Sequence, residues 1–264
     1  MTAADAYLER VIDVLRELAT GQRASIEAAA NAVADAIAAG HRVFVAATSH
    51  VLHTELVLRA GGLAAVHALA ETPDLSSPML ALSTAAIHGD GVFSPEAGDV
   101  VLVGTNAGTD AGTVEVARAA RAAGCTVIAL TSVAYEDWPD VVRDHPSGRR
   151  LIDEADLVVD IGGVVGDGAV ELPGVDTPVG PTSGVLLAAA AWAILVRAAE
   201  RLTAMGLTPI VYRSVQIPGA EALFRERKAA YEASGSGVTP AGAATSGTGV
   251  GSTMVTGRPR RSDA

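Results

Sequence analysis

The chain has 264 residues, enough for one α/β domain with additional segments. Hydrophobic residues make up 49% of it and aromatic residues only 3%, so we expect a core of alanine, valine and leucine. The 30 acidic and 19 basic residues leave a net charge of −11, which argues against nucleic acid and anionic membranes as partners. The one cysteine, Cys125, excludes a disulfide framework and favours a cytoplasmic protein.

The first segment, Ala4–Ala39, predicts one or two amphipathic helices with a break near Gly21. Its acidic start is not typical of a signal peptide. The longest uncharged run, Thr177–Val196, contains two prolines and two glycines, and only about twelve of its residues are strongly apolar, whereas a membrane span needs roughly 20. We therefore predict that Thr182–Met205 is a buried core or interface helix.

Short apolar runs alternate with helical patterns along the chain. The predicted helices include Ser49–Gly62, capped by Ser49 and stopped by Gly61, and the charged segment Glu221–Glu232. Residues 76–90 are irregular, with room for a short helix. The predicted strands are Arg42–Ala47, Ala64–Leu69, Val100–Val103, Thr126–Leu130 and Leu157–Ile161. This alternation predicts a doubly wound parallel sheet that is buried on both faces.

Three regions are predicted. Residues 1–40 form a helical segment that packs on the core or on a dimer partner, and residues 41–233 form the α/β domain. Residues 234–264 are rich in Gly, Ser and Thr and poor in residues that bury apolar surface, so they are expected to be disordered.

Polar turns follow the predicted strands. In doubly wound sheets, ligands bind beyond the carboxyl ends of the strands, so these turns predict one shared site. They are Thr48–His50, Thr105–Thr113, Thr131–Ser132 and Gly162–Gly168.

The turn after the third strand offers hydroxyls, small residues and a helix start. This combination favours an anion such as phosphate. The candidate ligands are Thr105, Asn106, Gly108, Thr109 and Thr113. Ordinary capping of the helix by Thr109 or Asp110 is the competing interpretation, and the charge of Asp110 favours it. A second helix start, at Thr182 and Ser183, has the same two interpretations.

The turn after the first strand contains the candidate ligands Thr48 and Ser49 and the candidate catalytic residues His50 and Glu55. Glu55 and Arg59 are also spaced for a helix salt bridge. The spacing of the histidines fits no metal motif, and we expect neither a metal nor a cofactor. In the long loop that follows the fourth strand, Arg149 and Arg150 either meet a phosphate or pair with Asp153 and Glu154.

Three stretches carry a family resemblance: "SHVLHTELVLRAGG" (Ser49–Gly62), "HPSGRRL" (His145–Leu151) and "VGPTSG" (Val179–Gly184). From about Leu8 to Ala233 the chain resembles the SIS (sugar isomerase) domain proteins, and within them the stand-alone bacterial branch. The resemblance implies a three-layer α/β sandwich with a five-stranded parallel sheet, of flavodoxin-like or Rossmann-like form. It also implies a homodimer or tetramer with a sugar-phosphate site at the dimer interface.

In SIS domains, hydroxyls after the first strand and a Ser-x-Ser-Gly-x-Thr loop bind phosphate. Carried over, this implies roles for Ser49, for Thr105, Gly108 and Thr113, and for Thr131 and Ser132. The chain departs from the branch at three places. "VAATS" (Val45–Ser49) replaces Gly-Thr-Gly-His-Ser, Ala107 and Asp110 replace hydroxylic or neutral residues, and no glutamate lies between Glu71 and Glu96.

Three functions are therefore weighed. The first is an isomerase or lyase that abstracts the C2 proton of a sugar phosphate, with an amino-sugar phosphate favoured. Its base would be His50, Glu55, His88 or Asp90. The second is a catalytically weakened subunit that binds ligand or assembles with an intact SIS paralogue. A sugar-phosphate sensor ranks last, because no DNA-binding segment accompanies the domain.

Overall fold

The computed structural model describes residues 1–46, 48–69, 95–214 and 216–240. The predictions for residues 76–90, including the candidate bases His88 and Asp90, and for the tail beyond residue 240 lie outside the described residues. The helices are α1 (Ala3–Gly21), α2 (Arg23–Ala38), α3 (Leu52–Leu56), α4 (Ala111–Ala122), α5 (Leu151–Glu154), α6 (Ser183–Ala204) and α7 (Ala220–Ser234).

Five parallel strands form the central sheet in the order β2-β1-β3-β4-β5, as the alternating pattern predicts. This is the doubly wound, flavodoxin-like order. Two small antiparallel pairs, β6–β7 and β8–β9, lie outside it. The strands are β1 (Val43–Val45), β2 (Val66–Ala68), β3 (Val100–Gly104), β4 (Thr126–Thr131), β5 (Leu157–Asp160), β6 (Gly168–Val170), β7 (Val179–Pro181), β8 (Leu207–Pro209) and β9 (Val238–Pro240).

Alternate residues of each central strand enter opposite layers of the core, because successive strand side chains point to opposite faces. In β1, Val43 and Val45 pack in the layer that holds α2 and α6, whereas Phe44 packs in the layer under α4. The same alternation separates Leu102 from Val101 in β3. Both faces of the sheet are therefore covered. The polar groups that remain accessible lie in the turns at the amino and carboxyl ends of the strands.

The predicted helix Ser49–Gly62 is shorter than expected, because α3 covers only Leu52–Leu56. The helix ends because Val57 is extended (φ −91, ψ 134) and Leu58 adopts φ 52. Farther along, the Gly61 N–H donates to the Tyr212 carbonyl at 2.9 Å and the Tyr212 N–H donates to the Gly62 carbonyl at 3.0 Å, so this segment pairs with a distant one.

The predicted tail begins too early. β9 lies inside it and pairs with β8, with Leu207 opposite Pro240. The short pairing binds residues 238–240 to the end of α6, which a composition argument does not detect. Within the described residues, no helix has the length and apolar character that crossing a bilayer requires.

Tyr212 makes the stability of the fold depend on pH in the alkaline range. Its ring is 3% exposed, lies 4.8 Å from the ring of Phe224 and is buried enough to raise the pKa of its hydroxyl from 10.0 to about 12. A raised acid pKa means that the unfolded chain loses this proton first, so stability falls as pH rises from 10 towards 12. We expect Tyr212→Phe to reduce that fall by about 2 kcal/mol at pH 12. Unfolding free energies from pH 8 to 12 test this, and parallel curves for the two proteins would contradict it.

Candidate functional site

The carboxyl ends of β1, β3, β4 and β5 lie along one edge of the sheet, because these strands are parallel neighbours. Their following turns contain most of the predicted ligands. The strand order reverses at β1 and β3, and in sheets of this type the ligand crevice opens at such a reversal. The turns that begin at Thr48 and Thr105 therefore flank the candidate site.

The turn after β1 is held by its own hydroxyls. The Thr48 hydroxyl donates to the Gly104 carbonyl at the end of β3 (3.1 Å), which joins the two sides of the crevice. The Ser49 hydroxyl accepts a hydrogen bond from the Leu52 N–H at 3.1 Å, so it supports the start of α3 as predicted. His50 follows Ser49 in this turn, just before α3, and it is exposed.

In the turn after β3, the backbone carbonyl groups point towards neighbouring loops. The carbonyls of Asn106, Gly108 and Thr109 accept hydrogen bonds from backbone N–H groups of those loops. The donors are Ser132 (2.9 Å), Leu151 (2.8 Å) and Asp144 (3.2 Å), in that order. Because these carbonyls are anchored in the protein, the turn has a defined shape.

The backbone N–H groups in the middle of the same turn have no hydrogen-bond acceptor among the described residues. In the part of the chain that the structure describes, the backbone N–H groups from Asn106 to Gly112 make no hydrogen bond, and neither do the hydroxyls of Thr105 and Thr109. Gly108 has φ +67, and a Cβ there would lie 3.1 Å from both Leu151 and Thr131. The turn is thus a close-packed row of free donors at the start of α4.

Asp110 caps α4, which is the competing interpretation that the sequence left open. Its carboxylate accepts the Thr113 N–H at 2.8 Å. Thr113 is itself 1% exposed, and its hydroxyl has no hydrogen-bond partner among the described residues. Asp110 is exposed, so its negative charge lies beside the free donors of the turn.

Three other predicted ligands form structural hydrogen bonds. The Thr131 hydroxyl donates to the Asn106 carbonyl at 3.0 Å, and the Ser132 hydroxyl donates to the Gly163 carbonyl at 2.5 Å. The Asn106 amide donates to the Tyr135 hydroxyl and the Val164 carbonyl, both at 3.2 Å. These side chains join the turns after β3, β4 and β5 to one another.

Thr182 and Ser183, the second predicted anion site, hold a carboxylate of the chain itself. The Asp167 carboxylate accepts both backbone N–H groups, at 3.0 and 2.8 Å, and both hydroxyls, at 3.4 and 2.7 Å. The antiparallel pairing of Gly168 with Pro181 brings Asp167 to this position. The start of α6 is therefore occupied, and no sequence motif identifies Asp167 as its partner.

Glu55 is engaged as well. Its carboxylate accepts the Trp192 indole N–H at 3.2 Å and pairs with the Arg59 Nε at 3.1 Å, so the salt bridge that the spacing predicts does form. This arrangement fixes α3 against α6. His53 is 2% exposed and belongs to the interior.

The "HPSGRRL" loop is bound by carboxylates. Arg149 pairs with Glu154 and donates to the Asp153 carbonyl, and Arg150 pairs with Glu136 at 3.1 Å. The alternative in which these arginines pair with acidic side chains therefore applies, although Glu136 was not among the expected partners.

His145 makes hydrogen bonds both within the same loop and to α4. It is 8% exposed, its Nε2 lies 3.1 Å from Glu115 and its Nδ1 lies 2.6 Å from the Ser147 hydroxyl. The contact with Glu115 attaches the loop to α4. Among the described residues, no group of His, Cys, Asp and Glu side chains is arranged to hold a metal ion.

The chain is similar to known proteins in sequence and in fold. The SIS domain family matches residues 6–132. UPF0309 proteins of Streptomyces griseus and Brucella canis are 34% and 35% identical to it, and in each case the match covers 82% of this chain and 90% of the relative.

Among solved structures, a phosphoheptose isomerase from Neisseria gonorrhoeae is 14% identical with a TM-score of 0.44, and the match covers 76% of this chain and 97% of that one. A hypothetical protein of Methanococcus jannaschii, whose structure was taken to indicate 3-hexulose-6-phosphate isomerase function, is 12% identical with a TM-score of 0.43 over 78% and 92% of the two chains. The sequence relationship to the Streptomyces and Brucella proteins covers more than four fifths of the chain. The chain therefore belongs to the UPF0309 family of SIS domain proteins.

Proposed function

We propose that the chain binds a phosphorylated sugar derivative in the crevice between the turns after β1 and β3. The observation that carries the proposal is the row of free N–H groups from Asn106 to Gly112, joined by the free hydroxyls of Thr105 and Thr109. Such a row, next to a helix start, matches the acceptor oxygens of a phosphate. Thr131 and Ser132 support the turn instead of contacting the ligand.

The exposed carboxylate of Asp110 favours a substrate that carries a positive charge as well. A phosphate alone is repelled by this carboxylate, whereas the ammonium group of an amino sugar is attracted to it. An amino-sugar phosphate therefore fits both features of the turn. Asp110 already accepts the Thr113 N–H, so its position is defined before any ligand binds.

For catalysis, we propose that His50 is the base that removes the C2 proton in an isomerisation or elimination. It is exposed and lies at the carboxyl end of β1, beside the proposed phosphate turn. An imidazole is a side chain that can accept a proton as a general base at neutral pH. Glu55, the other candidate, is held by Trp192 and Arg59, so we assign it a structural role.

Binding is tested by calorimetric titration of the protein with glucosamine 6-phosphate, glucose 6-phosphate and glucosamine. We expect the first compound to bind more tightly than either of the others, because it alone satisfies both the N–H row and Asp110. Equal affinity for glucosamine with and without its phosphate would contradict the phosphate site.

Catalysis is tested by following the exchange of the C2 proton of glucosamine 6-phosphate in D2O by NMR. We expect His50→Gln to slow the exchange by roughly 100-fold or more and Glu55→Gln to change it only slightly. His41→Gln is the matched control, because His41 lies at the opposite edge of the sheet, near Asp99. Equal rates in the parent and His50→Gln would exclude His50 as the base.

A second function is supported because Asp167 occupies the start of α6, Asp110 places a negative charge at the start of α4, and Glu55 is engaged by Trp192 and Arg59. In it, the chain is a ligand-binding subunit that assembles with an intact SIS paralogue. An oligomer of this chain alone that exchanges the C2 proton would exclude this second function. The homodimer or tetramer implied by the family resemblance is itself a prediction that light scattering can test.

A further inference from the structure

A cleft of about 600 Å³ lies where the chain leaves α3 and where it approaches α7, and none of its lining residues belongs to the proposed phosphate turn. Its size is that of a site for a small organic molecule. It is lined by Thr54, Val57, Leu58, Arg59, Ala60, Arg213, Ser214, Gln216 and Phe224.

Backbone pairing fixes the two walls of this cleft. Leu63 and Val211 form an antiparallel bridge, and Gly61 and Gly62 exchange hydrogen bonds with Tyr212. Beyond this pairing the two segments separate, with Arg59 on one side and Arg213 on the other. The cleft is therefore part of the folded structure and does not depend on the position of a single side chain.

The described lining of the cleft is positively charged, in contrast to the negative net charge of the whole chain. The chain carries a net charge of −11, yet among the described residues the lining contains two arginines and no acidic side chain. Arg213 is exposed, and it makes no hydrogen bond or ion pair with any residue that the structure describes. Arg59 uses its Nε for Glu55 at 3.1 Å, so Arg213 supplies most of the uncompensated charge.

The rest of the lining is mixed in polarity. Val57, Leu58 and Phe224 offer apolar contact, and the ring of Phe224 is held 4.8 Å from that of Tyr212. Leu58 adopts φ 52, a left-handed conformation that is costly for a leucine. The combination of a planar cation, hydroxyls and an apolar wall is typical of sites for organic anions.

We propose that this cleft binds a small organic anion, a phosphate monoester or a carboxylate attached to an apolar body. Arg213 holds the anionic group, Arg59 assists it and the wall of Val57, Leu58 and Phe224 contacts the body. The site is separate from the proposed sugar-phosphate turn and does not rest on it.

Calorimetric titration at low salt with phenyl phosphate, benzoate and phenol tests the proposal. We expect one or both anions to bind and phenol to bind at least roughly tenfold more weakly, because phenol lacks the charge that Arg213 recognises. The tighter of the two anions identifies the anionic group of the ligand. If neither anion binds at millimolar concentration, the proposal is wrong.

Variants locate the binding. Arg213→Gln should weaken it by roughly tenfold, and Arg213→Lys, which keeps the charge, should retain part of it. Arg225→Gln is the control, because Arg225 lies on α7 but does not line the cleft, and it should bind within about twofold of the parent. Asp110→Asn should also leave this binding unchanged, since Asp110 lies at the other site. Binding that is insensitive to Arg213, or that changes with Asp110, would overturn the assignment.

Discussion

Replacement of Asp167 by alanine is expected to lower the free energy of unfolding by about 3 kcal/mol, because one carboxylate satisfies the start of α6. Four donors of Thr182 and Ser183 lose the carboxylate, only the Thr182 N–H keeps a second acceptor, the Asp167 carbonyl at 3.3 Å, and Thr182 is fully buried. Alanine must also adopt the φ of 66 that Asp167 has. Urea denaturation of the two proteins measures the difference.

Two further variants make this test specific. Asp167→Asn keeps an acceptor and tolerates the left-handed backbone, so its loss should be about 1 kcal/mol. Asp176→Ala removes an exposed carboxylate from the same hairpin and should change stability by less than about 0.5 kcal/mol. A loss below about 1 kcal/mol for Asp167→Ala would show that α6 does not depend on this cap.

Replacement of Asp110 by asparagine is expected to raise the affinity for glucose 6-phosphate by roughly tenfold, because it removes a negative charge beside the proposed phosphate turn. Asparagine still accepts the Thr113 N–H, so α4 keeps its cap and the cost in stability should be about 0.5 kcal/mol. Calorimetric titration of both proteins at one salt concentration measures the change.

The same variant should weaken the binding of unphosphorylated glucosamine, whose ammonium loses its partner. Asp13→Asn, an equal change in net charge on α1, should alter neither affinity. If Asp110→Asn and Asp13→Asn behave alike, Asp110 does not act on the ligand, and the phosphate does not bind next to the start of α4.

Much of the architecture is predictable from local pattern. Apolar, β-branched runs predict all five strands of the central sheet, since a strand buried on both faces must be apolar throughout. Glycine placement predicts the break between α1 and α2. The pattern fails at α3, where the backbone becomes extended at Val57 and then pairs with Tyr212, although the sequence extends the helix to Gly61. It fails again at β9, which is too short and too polar to stand out.

The candidate site is less predictable than the fold. The capping of α4 by Asp110 is a contact between residues three apart in the chain. The sequence therefore predicted it, as one of two interpretations of the turn. The salt bridge of Glu55 with Arg59 is local in the same way. In contrast, the indole of Trp192 reaches Glu55 from a helix that is distant in sequence. The Arg213 cleft likewise combines residues from two separated segments.

The sequence by itself determined the family, the parallel sheet and the edge at which its turns converge, because these follow from short-range periodicity and from motifs that are contiguous in the chain. Only the tertiary structure decided which polar groups are already satisfied. Asp167 reaches Thr182 and Ser183 because a hairpin folds between them, and the N–H groups near Asp110 are free because neighbouring loops present donors, not acceptors, to the same turn. A donor is free or occupied according to what lies opposite it in space, and the order of residues along the chain does not contain that information.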